Sequence, residues 1–339
     1  LIPFFPANLM PPRFSAHILR HITPGRLAAF VMGVALFPAL AMAQAAAPGD
    51  PTVDGMASLL PLWAWPLVLF AFTAFLGVLA VMGGIGGSVL FVPLVSGFLP
   101  FIHIDFVRGA GLMVALTGAL SAGPGLLRNG MANLRLAMPI ALITSTASIA
   151  GALIGLALPA QQVQIALGVV ILSMSVFMYF SKTSGHSETT SSDPLVRALG
   201  IQGSYWDADQ NKDVTWAPRR MALGLVMFSG VGLMAGLFGL GAGWANVPLL
   251  NLVMGVPLKV AVASSYFLLA ITDTTAAWIY LNKGAVLPLL VIPSVAGIMV
   301  GARLGARLLH GARPSLIRKV VIVVLFLAGL RALIRGLTM

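Results

Sequence analysis

The amino-acid sequence predicts an all-α polytopic membrane protein made of two homologous halves, each with four to five transmembrane helices, and three observations lead there. Of 339 residues, 59% are hydrophobic and only 9% charged, with a mean hydropathy of +0.99; a soluble domain of that composition would lack the polar surface it must show to water. Apolar segments of about 18 to 20 residues, the length that crosses a ~30 Å hydrocarbon layer, follow one another with short connections. The landmarks of the first run of segments then return, in order, in a second run.

Taken along the chain, residues 1–43 carry Arg13, Arg20, His21 and Arg26, then the apolar run "LAAFVMGVALFPALAMA" with small residues at Ala41 and Ala43. This reads as a signal peptide or a signal anchor, with 44–62 an extracytoplasmic linker. A first transmembrane repeat, 63–181, contains apolar segments at 63–82, 89–101, 107–127, 134–158 and 163–181. A cytoplasmic polar loop follows at 182–220. Its "SYWDADQNKDVTW" reads as a hairpin, with aromatic and β-branched residues flanking a polar turn. The "DADQNKD" within it mimics half a calcium loop, but Lys212 replaces the required Gly and Pro218 the required Glu. The second repeat, 221–339, has segments at 221–240, 244–257, 260–281, 285–309 and 317–335. Segment 89–101 is short, about 20 Å as a helix, and reads as a half-helix candidate.

Laying "GGIGGSVLFVPLV" over "FGLGAGWANVPLL" places Gly84 on Gly239, Gly86 on Gly241, Val92 on Val247 and Pro93 on Pro248. Further on, Asn129-Gly130 falls on Lys283-Gly284, and Gly151 to Gly155 on Gly301 to Gly305. An ordered series of such marks points to duplication. If every segment crosses, one side collects Arg128, Arg135, Lys182, Arg197, Lys212, Arg219, Arg220, Lys259, Arg303, Arg307, Arg313, Arg318 and Lys319. The other keeps Arg108, Lys283, Arg331 and Arg335. The basic side is the cytoplasmic one. An odd number of crossings per half sets the halves as inverted repeats.

The net charge of +11 sits at segment ends rather than in a basic stripe, so it sets topology and points to the lipid bilayer, with no nucleic acid as partner. Without cysteine there are no disulfides, thiolate metal ligands or cysteine nucleophiles. The histidines (His17, His21, His103, His186, His310) lie in flanks and loops, and no His-Glu-x-x-His, Gly-x-Ser-x-Gly or Walker-type run is present. No metal and no cofactor is expected. A transporter is the leading reading; an assembly protein without transport activity and, less favoured, an intramembrane enzyme are the alternatives.

Glycine costs about 1 kcal/mol and proline about 3 in a helix interior, and in a bilayer an unpaired backbone group costs several kcal/mol. Irregular backbone survives there when it is buried in protein or lines a water-filled cavity. Two matched breaks, each followed by Val-Pro, therefore point to a site, and exposed N–H groups at a broken helix suit an anion. The candidate substrate-binding residues are Gly84, Gly86, Gly87 and Ser88 in the first half, and Gly239, Gly241, Gly243 and Asn246 in the second. Ser264, Ser265 and Thr272 on the following span join them as hydroxyl donors. Trp244 and Asn246 stand opposite Val89 and Phe91. The spaced glycines Gly297, Gly301 and Gly305, like Gly151 and Gly155, read as helix-packing seams.

Asp273, in "LLAITDTTAAWIYL", is an intramembrane carboxyl group, a costly feature that is a functional hypothesis by default. It is the candidate proton-coupling residue, against a structural role at a kink or with an arginine; its repeat-mate is Ala119. Arg108, in "FIHIDFVRGAG", either attracts anions at an outer mouth or anchors the interface by pairing with Asp105.

The matched "GGIGGSVLFVP" and "FGLGAGWANVP", each followed by a span with small and hydroxyl residues, resemble the duplicated signature of the TauE/SafE family of sulfite and organosulfonate exporters. The resemblance covers roughly residues 63 to 335. It implies a permease for a small sulfur-containing anion, working outward in a bacterial-type inner membrane. The family tends to a third consecutive glycine where this chain has Ser88 and Ala242.

Overall fold

A computed structural model describes residues 61–83, 87–99, 101–128, 132–180, 193–207, 212–308 and 314–338. Residues 1–60, which hold the expected signal segment and nearly all of the expected linker, as well as Gly84, Gly86 and the Asn129-Gly130 pair, lie outside the described residues. After a 3₁₀ turn at Leu62–Ala64, the first half forms α1 (Trp65–Gly83), α2 (Gly87–Phe98), α3 (Ile104–Arg128), α4 (Leu134–Ala157) and α5 (Ala160–Phe180). The polar loop holds α6 (Pro194–Ala198) and the strands β1 (Gly203–Asp207) and β2 (Lys212–Trp216). The second half forms α7 (Met221–Phe238), α8 (Gly243–Pro248), α9 (Leu258–Asn282), α10 (Pro288–Leu308) and α11 (Pro314–Thr338). A π-helical turn, Leu249–Val253, extends α8 just past Pro248, a residue that cannot donate to an α-helical ladder.

Seven described helices, α3, α4, α5, α7, α9, α10 and α11, are long and apolar enough to cross a membrane, and α1 has 19 residues. The two segments after the glycine runs do not cross. With 12 residues in α2, and six in α8 followed by five in the π turn, they reach only about 18 and 16 Å. Each half is thus four long helices and a half-helix, within the four to five expected and with the short helices at the glycine motifs: glycine and proline stop a helix that apolar content alone would have continued.

Where the half-helices go is fixed by their ends. The Trp65 ring at the start of α1 meets the edge of Phe101 just after α2, with centroids 5.8 Å apart, so α2 returns the chain to the end at which α1 began. In the same way Arg219, before α7, donates its backbone N–H to the carbonyl of Met254, after α8, at 2.8 Å.

Glycine seams hold the long helices together. A Cβ on Gly232 or Gly236 of α7 would stand 2.3 and 2.0 Å from the carbonyls of Thr144 and Ser148 on α4, and one on Gly151 would stand 2.1 Å from that of Leu233. Residue numbers rise together, so α4 and α7 run parallel. α1 and α10 also run parallel, Gly297 lying against Phe70 and Thr73, and Gly301 against Ala74. α5 and α11 run antiparallel: Ser175 donates to the Ile322 carbonyl at 3.0 Å and Gln164 to that of Ala332 at 3.4 Å. α3 and α9 are antiparallel too, with Arg108 over the Tyr280 ring at one end and Ala115 beside Asp273 further along. Exchanging the halves maps α1/α10 onto α7/α4 and α3/α10 onto α9/α4; α2/α11 has no counterpart of comparable extent. Close approach of backbones through small residues is how helices associate where lipid removes the hydrophobic driving force.

The polar loop folds over one end of this bundle. β1 pairs antiparallel with β2, Gly203 opposite Trp216 and Tyr205 opposite Val214. Val196, Ile201 and Trp216 are buried in one cluster with Leu136 of α4, Leu249 and Met254 beside α8, and Val260 of α9. Asp193 caps α6 through the Leu195 N–H and also accepts from the Met221 N–H at 2.8 Å, fastening the loop to the start of α7.

Candidate anion site at the helix breaks

The second break lies within the described residues. α7 ends at Phe238, and Gly239 caps it in the left-handed region with φ 67°. Gly241 repeats that conformation at φ 64° before α8 starts at Gly243. A side chain would be excluded for two reasons: left-handed backbone costs an L-residue about 1–2 kcal/mol, and there is no room. A Cβ on Gly239 would stand 2.4 Å from the Arg108 carbonyl oxygen, and one on Gly241 would stand 2.9 Å from a carboxylate oxygen of Asp273 and 3.0 Å from Ala115. Among the described residues the amides of Gly241 and Gly243 have no hydrogen-bond partner. Break and carboxyl group therefore face each other inside the protein.

Asp273 is completely buried. Neither carboxylate oxygen has a well-formed hydrogen bond, although the Ala242 backbone amide interacts with the group. Two more side chains close to the break, the buried Asn246 and the partly buried Trp244 on α8, carry buried polar atoms without partners: both amide atoms of Asn246 and the indole nitrogen of Trp244. Such atoms cost about 1–3 kcal/mol each when left unpaired, and buried polar groups in most proteins are satisfied. Three residues with unused hydrogen-bonding capacity, gathered at an interrupted helix, are what a polar solute would need.

The first half supplies a link. Ser88, in the first turn of α2, is buried and donates its hydroxyl to the Leu240 carbonyl inside the second break. The two matched glycine regions thus meet. Gly87 opens α2 against Ile298 of α10, a Cβ there lying 2.6 Å from the Ile298 Cδ1. Gly111 of α3 lies between them: its Cβ would be 2.3 Å from Val92 of α2 and 2.6 Å from the Gly239 carbonyl. Gly111 was not singled out from the sequence, where only the Gly-x-Gly spacing with Gly109 hinted at a close approach.

The hydroxyl residues of α9 are placed elsewhere. Ser264 accepts from the Asn133 N–H at 3.2 Å, nine residues and so about 14 Å along the helix from Asp273. Ser265 is bonded to its own helix at the Val262 carbonyl, 2.8 Å, as serines in membrane helices commonly are. Thr272 turns to α4, where its hydroxyl donates to that of Thr144 at 3.2 Å and its carbonyl accepts from Ser148 at 3.1 Å. Adjacent helix positions point about 100° apart, so Thr272 and Asp273 face different neighbours.

Arg108 is buried, not presented at an open mouth. It pairs with Asp105, which His103 approaches from the surface at 3.5 Å. It also donates to the carbonyls of Leu237 at 2.8 Å and Gly155 at 3.1 Å, and its guanidinium lies 5.6 Å from the Tyr280 ring centroid. The carbonyls at the end of a helix lack intrahelical partners and carry partial negative charge; here a cation satisfies that of Leu237, next to the break. Of the two roles the sequence allowed, the pairing with Asp105 is the one the geometry contains.

These features define a class: a polytopic α-helical membrane protein in which two interrupted helices meet inside the bundle. Comparison with known proteins gives the family. The description "Sulfite exporter TauE/SafE" matches residues 67–332, and the chain belongs to that family of multi-pass membrane transporters. It is 30% identical over 138 residues to the "Probable membrane transporter protein YunE" of Bacillus subtilis (strain 168), a match covering 41% of this chain and half the length of that protein. It is 25% identical over 272 residues to the "Probable membrane transporter protein ORF9" of Sinorhizobium sp, covering 78% of this chain and 93% of that protein. No solved structure matches it.

Proposed function

We infer that this protein is a secondary transporter of small sulfur-containing anions such as sulfite or organosulfonates, that it exports them, and that Asp273 couples the movement to protons. It is not an enzyme in this reading, and it works in the inner membrane of a bacterial-type cell, its two halves acting as inverted repeats around a shared site. The observation that carries the proposal is the fully buried Asp273 carboxyl group, with neither oxygen bonded, set against left-handed Gly241 in the second break. An ionised carboxylate left so would be costly, and a proton removes the cost. The unpartnered N–H groups of Asn246, Trp244 and the break are donors for an oxyanion. Opposite directions of entry for α1 and α7 support the inverted arrangement, and the family match supports the sulfur oxyanion.

The test is flux of labelled sulfite and of an organosulfonate in liposomes containing the purified protein under an imposed pH gradient. Gradient-driven flux that drops at least about tenfold in Asp273→Asn is expected, the loss that removing a transfer group produces. Full flux in that variant would remove Asp273 from the mechanism. The close fit of the break, latched by Ser88, favours an assembly role as the competing reading, and absence of flux for any oxyanion would establish that reading instead.

A further inference from the structure

We propose that the transported species is a singly charged oxyanion that crosses together with one proton, so that each cycle moves no net charge. This rests on the reading of the break as a transport site and adds the charge state of the cargo.

The inference comes from counting charges around the break. Arg108 is the nearest buried cation, and its charge is already paired: Asp105 neutralises it and two helix carbonyls take N–H groups of its terminal nitrogens, leaving only the Nε–H without a partner. It also lies seven residues from Ala115, the α3 residue beside Asp273, which is about 10 Å along the helix. The other elements against Asp273 and Thr272 contribute no charge. The break offers Gly241 and Ala242, α3 offers Ala115, and α4 offers the hydroxyls of Thr144 and Ser148. α8 contributes only the neutral Asn246 and Trp244. Among the described residues, no ion pair involves Asp273.

Among the described residues, the site therefore has neutral donors, one acid and no cation other than the paired Arg108. Burying a charge without a counter-charge is expensive. A single negative charge entering while Asp273 takes up one proton leaves the total unchanged, and amide and indole N–H groups can solvate it. A dianion would leave a second negative charge with nothing opposite it. The proton is bound at the carboxylate on one side of the membrane, and it is released with the anion on the other.

Methanesulfonate, a permanent monoanion, and sulfate, a dianion of similar shape, separate the possibilities in liposomes holding the full chain. Membrane potential is set with potassium and valinomycin, and lumenal pH is read by a trapped dye. Expected are one proton moved per methanesulfonate, a rate nearly indifferent to potential, and sulfate flux at least about tenfold slower. A step that carried one uncompensated charge would respond by up to about fifty-fold over about 100 mV. Such a response in the wild type, or sulfate carried as fast as methanesulfonate, would overturn the inference while leaving transport intact. No flux of either anion would sink the transport reading and this one with it. Asp273→Glu should keep the one-to-one stoichiometry, whereas any flux left in Asp273→Asn should become sensitive to potential; unchanged proton movement in Asp273→Asn would also refute the proposal.

Discussion

The two glycine breaks occupy matching places in the sequence, yet they are built to opposite rules. After the first, Val89, Leu90, Phe91 and Val92 are buried apolar groups, and the one polar residue among them, Ser88, spends its hydroxyl on Leu240. After the second, Trp244 and Asn246 replace Val89 and Phe91, Asp273 replaces Ala119 on the next span, and all three leave polar atoms unpartnered. The far ends differ as well. The C-terminal carbonyls of α2 are held by Arg331 and Arg335 of α11, which complement a helix C-terminus, while past α8 the Leu249 and Leu250 carbonyls accept from the neutral backbone N–H groups of Met254 and Val256 at 3.0 and 2.8 Å. Among the described residues, the segment after the first break is an apolar wall whose one polar side chain is bonded, while the segment after the second keeps unused donors and faces an acid. The proposed site lies at the second break, where Trp244, Asn246 and Asp273 together leave polar atoms unpartnered.

The strongest way to break this contrast is to remove the second break. Gly239→Val forces a β-branched residue into left-handed backbone and against the Arg108 carbonyl, so loss of folded protein is expected, read as failure to elute as a single species in detergent. Gly230→Ala, where a Cβ meets nothing within 4 Å, is the control; it should leave the melting temperature unchanged or raise it, since Ala is favoured over Gly in a helix by about 1 kcal/mol.

Next in size is Arg108→Met, which leaves the Gly155 carbonyl without a side-chain donor, the Leu237 carbonyl with only the Tyr280 hydroxyl at 3.4 Å and Asp105 without its cation, and should cost about 3 kcal/mol by the logic of a broken buried pair. Arg331→Met removes a cation from an exposed position and should cost clearly less; equal losses in thermal unfolding would show that burial does not distinguish the two caps. Ser88→Ala deletes the hydrogen bond from the start of α2 to Leu240 in the second break and should cost about 1 kcal/mol, seen as a small drop in melting temperature.

The smallest effect on stability sharpens the comparison most. Asn246→Leu replaces an amide with two unsatisfied atoms by an apolar group, a change that is nearly neutral or stabilising when the polar group had no partner. Melting should hold steady while anion flux falls several-fold. A marked loss of stability would mean that Asn246 serves the wall and not the site.

Much of the frame was legible in the chain. Hydropathy placed the long helices within a few residues, the Gly and Pro marks located the second break, and the aromatic and β-branched flanks of "SYWDADQNKDVTW" anticipated the strand pair, whereas α6 in the polar loop had no apolar signal. The seams at Gly151, Gly297 and Gly301 were readable because four-residue spacing keeps small residues on one helix face. Ser264 and Ser265 were assigned to the site on proximity in sequence, which cannot say how far along a helix a partner lies or whether a hydroxyl turns back to its own carbonyl.

By itself, then, the sequence determined the membrane, the long helices and the interruption after α7, because these follow from apolar content and from residues that cannot continue a helix. Only the tertiary structure decided that Ser88 reaches Leu240, that Arg108 closes the end of α7, and that Asp273 faces Gly241 without a partner. Those facts depend on which helix lies beside which and on the direction of each side chain, and in lipid that is settled by close packing between segments far apart in the chain.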